Sequence, residues 1–99
     1  MKVNVNSVHF KADRKLLNFI NEKVGKLTQI YDGVIGSDVF LKLDNNDDGE
    51  NKIAEIRLFI RGNDLYAKKQ SKSFEEATDN AVEALRKQLT RYKEKVRGR

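Results

Sequence analysis

From Phe74 onward the apolar residues Phe74, Ala77, Ala81, Leu85, Leu89, Tyr92 and Val96 recur at three- and four-residue spacing. That spacing puts them on one stripe of a long α-helix. Ser73, just before them, is a good N-cap, and Glu75 and Glu76 bring negative charge into the first turn, where the helix dipole favours it. No Pro or Gly interrupts the pattern before Gly98. An earlier stretch has the same period. Leu16, Leu17, Ile20, Val24, Leu27 and Tyr31, with Asp13 as N-cap, predict a helix over about Asp13 to Ile30. Gly25 within it costs on the order of 1 kcal/mol against Ala, which suggests close packing or the close approach of another backbone.

Other stretches alternate with period two, the mark of strands. Val3, Val5 and Ser7 alternate with Asn4 and Asn6; Val39, Leu41 and Leu43 with Phe40, Lys42 and Asp44. Ala54, Ile56, Leu58 and Ile60 alternate with Glu55, Arg57, Phe59 and Arg61, and Leu65 to Gln70 make a short fourth strand. Gly33 and Gly36 mark a connection, and Gly62-Asn63-Asp64 a turn. The order β-α-β-β-β-α predicts an α+β fold. In it the strands joined by short turns form an antiparallel meander within a four-stranded sheet, and both helices pack on one face. The other face stays wet, which explains Lys42, Arg57 and Arg61 in strand positions. A chain of 99 residues has room for one core, so residues 1–99 are read as one domain.

Charge changes this picture more than composition does. The net charge is +5, which favours an acidic partner such as nucleic acid or an anionic membrane. Along the last helix the sign switches abruptly. Glu75, Glu76, Asp79 and Glu83 occupy its first turns, whereas from Arg86 onward there are seven basic residues and only Glu94 against them. On a helical wheel Arg86, Lys93 and Arg97 flank one side of the apolar stripe, and Lys87, Arg91 and Lys95 flank the other. Lys15, Lys23 and Lys26 share one border of the first helix in the same way. Cations on both flanks of an apolar stripe suit contact with a polyanion, though Lys and Arg that merely offset the C-terminal dipole account for two or three of them.

Several functions are disfavoured. The absence of Cys excludes disulfides, thiol catalysis and Cys-based metal sites, and fits a reducing cytoplasm. The N-terminus has no continuous apolar core of a signal peptide, and no apolar run reaches the length of a membrane span. A single His9, with no Ser/His/Asp or His/Glu cluster, argues against an enzyme, and no cofactor or small-molecule substrate is expected. One motif invites a metal. Asp44 to Glu55 satisfies the calcium-loop pattern at Asp44, Asn46, Asp48, Gly49 and Glu55. Such loops sit between two helices, however, and here both flanks have strand patterning, so an acidic hairpin loop without a metal is the expectation.

With the element order, the paired basic helices and the segment RKQLTRYKEK in view, the chain resembles the ribosome hibernation-promoting factors, also called ribosome-associated inhibitor or sigma-54 modulation proteins. The resemblance spans essentially the whole chain. It rests on Val3-Asn4-Val5-Asn6-Ser7, on Glu22-Lys23-Val24-Gly25-Lys26-Leu27, on Ala77-Thr78-Asp79, and on Lys87-Gln88-Leu89-Thr90-Arg91-Tyr92-Lys93. Ending at Arg99, the chain looks like the family's short form. The resemblance implies binding to small-subunit rRNA at the decoding region, over the mRNA and tRNA sites, with both helices facing rRNA. The implied contacts are Lys23 and Lys26 on the first helix and Arg86, Lys87, Arg91, Lys93 and Lys95 on the last. Two other readings stay open: a general structured-RNA-binding module, and an adaptor for an acidic protein partner.

Overall fold

A computed structural model describes residues 1–45 and 49–97. Strand β1 (Lys2–Ser7) leads into helix α1 (Arg14–Gly25) and a 3-10 turn (Lys26–Gln29). Strands β2 (Val34–Leu43), β3 (Lys52–Ile60) and β4 (Asn63–Ser71) follow, and helix α2 (Phe74–Arg97) ends the described chain. The sheet order is β1-β2-β3-β4. As expected of strands joined by hairpins, β2–β3 and β3–β4 pair antiparallel. β1 pairs parallel with β2, Val5 opposite Val39, because α1 carries the chain back across the sheet between them. The sheet is therefore mixed.

Period-two patterning becomes burial along β3, where Ala54, Ile56, Leu58 and Ile60 point inward and Arg57 is exposed on the other face. Val39 and Leu41 of β2 and Leu65 and Ala67 of β4 join them. The helices cover this face with Leu16, Ile20 and Val24 from α1, Leu27 from the 3-10 turn, and Ala77, Ala81, Leu85 and Leu89 from α2. Leu85 and Leu89 are fully buried, and truncating either to Ala would cost about 2–5 kcal/mol.

Both predicted N-caps form. The Asp13 carboxylate accepts from Leu16 N at 2.8 Å, and Ser73 Oγ accepts from Glu76 N at 3.1 Å. Four expectations need correcting. The first helix stops at Gly25, and Lys26–Gln29 continue as 3-10. Gly25 is not a site of close packing, since a Cβ there would meet nothing within 4 Å. Gly36 lies inside β2 beside a register shift and not in a connection. The β3–β4 turn is Arg61-Gly62 alone, with Ile60 opposite Asn63, so Arg61 leaves the strand while Asn63 and Asp64 belong to β4. Gly62, at φ 87°, supplies the left-handed residue that this short turn uses.

The outer face of the sheet is polar where the wet-face expectation put it. Lys42 pairs with Glu55 across β2–β3, and Tyr66 Oη donates to Glu55 at 2.6 Å. In the calcium-like sequence, Asn46 and Asp48 lie outside the described residues, and the Glu55 carboxylate is held in β3 by Lys42 and Tyr66.

Candidate nucleic-acid interface

Helix α2 has 24 residues, so it is about 36 Å long. Aromatic contacts pin it near both ends. Phe74 stacks on Phe10 from the β1–α1 loop, with centroids 4.9 Å apart and planes 11° apart. Tyr92 meets Tyr31 edge-on at 5.8 Å, and its hydroxyl donates to the Arg61 carbonyl in the β3–β4 turn at 3.2 Å. Between these anchors the buried stripe holds the helix against β3 and β4. Past Tyr92 the stripe is no longer buried: Val96, an expected stripe residue, is 44% exposed. The cations thus ride on a rod whose orientation is fixed by packing.

The two borders of that rod meet different neighbours. One faces α1 and the 3-10 turn. There Lys23 Nζ lies 3.2 Å from Asp79 Oδ1 and 5.5 Å from the centroid of the Phe19 ring. Lys93 and Arg97 line a cleft with Thr28, Tyr31 and Asp32. Lys26 is exposed at the start of the 3-10 turn. Arg86 is held by Glu83 through two bonds, Nε to Oε2 at 2.9 Å and Nη2 to Oε1 at 2.5 Å. This pairing pushes the Arg86 guanidinium up from its ordinary value and the Glu83 carboxyl down.

The opposite border faces β4. Lys87 and Arg91 line a groove there with Gln88 and Asn80, and Lys95 sits beside Asn63 and Tyr92 near the β3–β4 turn. The seven sequence-expected cations therefore divide. Lys87 and Arg91 come together; Lys93 joins the 3-10 turn; Lys23 and Arg86 already hold carboxylates. The groove also contains Lys69, a cation of β4 that the helical periodicity does not point to. Its signal was parity. Leu65, Ala67 and Ser71 of β4 are buried, and Lys69 shares their side of the sheet, yet it is exposed. A lysine at an inward position of an edge strand must run out along the rim, towards whatever helix lies there.

Comparison with known proteins adds an independent finding. The profile of the family described as "Sigma 54 modulation protein / S30EA ribosomal protein" matches residues 3–97. The chain belongs to that family. Curated relatives of this sigma 54 modulation/S30EA chain include proteins named ribosome hibernation promoting factor. The one from Klebsiella oxytoca is 24% identical over 97 residues, covering 98% of each chain. The one from Salmonella typhimurium is 25% identical with the same coverage. Among solved structures, a ribosomal subunit interface protein from Coxiella burnetii superposes with a TM-score of 0.83 at 16% identity, covering 94% of this chain and 98% of that one. The N-terminal domain of Thermus thermophilus Protein Y gives 0.76 at 22%, covering 92% and 94%. At these identities the two structures establish a shared fold. Among the described residues no helix is long and apolar enough to cross a membrane.

Proposed function

We propose that this protein is a ribosome hibernation factor that binds small-subunit rRNA at the decoding region and inhibits translation by blocking the mRNA and tRNA sites. The observation that carries the reading is α2, a rod anchored near both ends, with cations along both borders of its C-terminal half. Membership of a family whose curated relatives are named ribosome hibernation promoting factor supports it. Lys and Arg would supply most of the affinity through phosphate contacts, and the shape of the rRNA would supply specificity. With about six phosphate contacts, log affinity should fall against log salt with a slope of roughly −4 to −5. The action is occupancy and not chemistry, so inhibition should be stoichiometric.

The test is exclusion. Purified small subunits are loaded with mRNA and initiator tRNA, and bound protein is measured by sedimentation. The reading requires that each displace the other. Simultaneous saturation would put the protein elsewhere on the ribosome and sink the decoding-region assignment. Retention by free duplex RNA as strong as by subunits would favour a general RNA-binding module.

A further inference from the structure

The groove between β4 and α2 brings three cations together from two elements: Lys69 from the strand, Lys87 and Arg91 from the helix. Lys87 and Arg91 are four residues apart, so their backbones are about 6 Å apart along the helix axis. None of the three forms an ion pair among the described residues. The acid in the groove, Glu83, is taken up by Arg86. Both walls are fixed. β4 is tied to β3 with Lys69 opposite Ala54, and Gln88 Nε2 reaches from α2 to the Tyr66 carbonyl on β4 at 3.0 Å. That bond also satisfies an acceptor on the edge of the sheet, where a backbone group otherwise lacks a partner.

The α1-side border is different. Lys23 holds Asp79, Arg86 holds Glu83, and the cleft of Lys93 and Arg97 includes Asp32. A phosphate arriving there competes with carboxylates already in place. In the β4-side groove it meets three cations and one acid, Glu83, which is already bonded to Arg86.

We propose that the two borders of α2 are not equivalent, and that the β4-side groove grips the phosphodiester backbone of the bound RNA, with Lys69 as its third cation. This rests on the rRNA-binding reading and deepens it. It assigns the gripping border and adds a residue from the sheet to a surface otherwise built from helices.

The experiment compares Lys69→Ala and Lys69→Glu with Arg86→Ala on the other border. All are full-length chains, measured by co-sedimentation with purified small subunits over a salt series. Loss of one phosphate contact should weaken binding about three- to fivefold for Lys69→Ala and reduce the salt slope by about one ion. Lys69→Glu should weaken binding about tenfold or more, and Arg86→Ala by about twofold or less. Lys69 is exposed, so melting temperatures should stay at the unsubstituted value and exclude misfolding as the cause. If Lys69→Glu binds with unchanged affinity and salt slope, the groove proposal is overturned while the rRNA reading stands. Equal losses for Arg86→Ala and Lys69→Ala overturn the inequivalence of the borders. If the unsubstituted chain does not sediment with subunits at all, the rRNA reading itself fails, and the groove falls with it.

Discussion

Lys23 Nζ stands 3.2 Å from Asp79 Oδ1, an ion pair that joins α1 to α2 at a lysine expected to touch rRNA. Their side chains are 33% and 50% exposed, so the pair contributes at most about 1 kcal/mol to stability. On the proposed rRNA-binding reading its larger consequence is for binding, since Asp79 is then a counter-ion that RNA would have to displace. Asp79→Asn should leave stability to urea within about 1 kcal/mol and tighten small-subunit binding roughly two- to fivefold. Co-sedimentation at fixed salt checks this. Unchanged or weaker binding would mean that Lys23 faces no phosphate.

Gly25 offers a test of packing. Its backbone is right-handed helical, at φ −59° and ψ −29°, and a Cβ there meets nothing within 4 Å. Alanine therefore fits without strain while narrowing the unfolded ensemble. Gly25→Ala should stabilise the fold by about 0.4–1 kcal/mol, which in a domain this small raises Tm by a few degrees. A lower Tm would reveal a steric demand at the junction of α1 with the 3-10 turn.

Glu55 gives the outer face of the sheet a pH dependence. The bond from Lys42 and then the bond from Tyr66 hold its carboxyl below the ordinary value, against the opposing effect of burial. A carboxyl whose pKa is lower folded than unfolded contributes stability that is complete above the unfolded value, near 4.3. That stability is lost as pH falls through the folded value, because the unfolded chain binds the proton first. Glu55→Gln should therefore lose less stability than the unsubstituted protein between about pH 5 and pH 3. Urea unfolding at stepped pH reads the difference. Parallel curves would show that the Glu55 carboxylate makes no proton-linked contribution to folding.

Where the sequence was legible, one period determined the outcome; where it was not, two elements had to meet. Alternation along Ala54 to Ile60 gave the buried face of β3 directly, and Asp13 and Ser73 announced their helices because capping is local. The change to 3-10 geometry after Gly25 was hidden, since Val24 and Leu27, three apart, stay on one face in either helix. Gly36 read as a breaker because a lone glycine carries no sign of the Lys2 and Phe59 backbones that flank it across the sheet. Val96 kept the period of the stripe, but spacing alone does not tell where along a helix burial ends. The same distinction governs the candidate interface. Arg86 and Glu83 are three apart on one helix, so their pairing could have been read. The Lys23–Asp79 pair and the Lys69–Lys87–Arg91 groove depend on how α1, α2 and β4 dock, and no single segment encodes that.

Lys87 and Arg91 carry the decisive prediction. Both are exposed, one helical turn apart on the β4-side border, and neither belongs to the buried stripe of Ala77, Ala81, Leu85 and Leu89. Reversing both to Glu replaces two attractions for phosphate with two repulsions at adjacent points. Screening at physiological salt removes most of the Coulomb energy. Two lost contacts at about 1 kcal/mol each, with repulsion added, still weaken binding by about two orders of magnitude. Folding should change by no more than about 0.5 kcal/mol per site, because exposed charge swaps rarely cost more. Asp64→Lys, exposed on β4 near the opposite face of the sheet, is the control and should bind as well as the unsubstituted chain or slightly better. Circular dichroism and urea unfolding establish that the double variant is folded, and sedimentation with small subunits reads its affinity. A folded Lys87→Glu/Arg91→Glu protein that binds as tightly as the unsubstituted chain would mean that the basic half of α2 is only solvated. The assignment of this helix as the rRNA-binding surface would then be wrong.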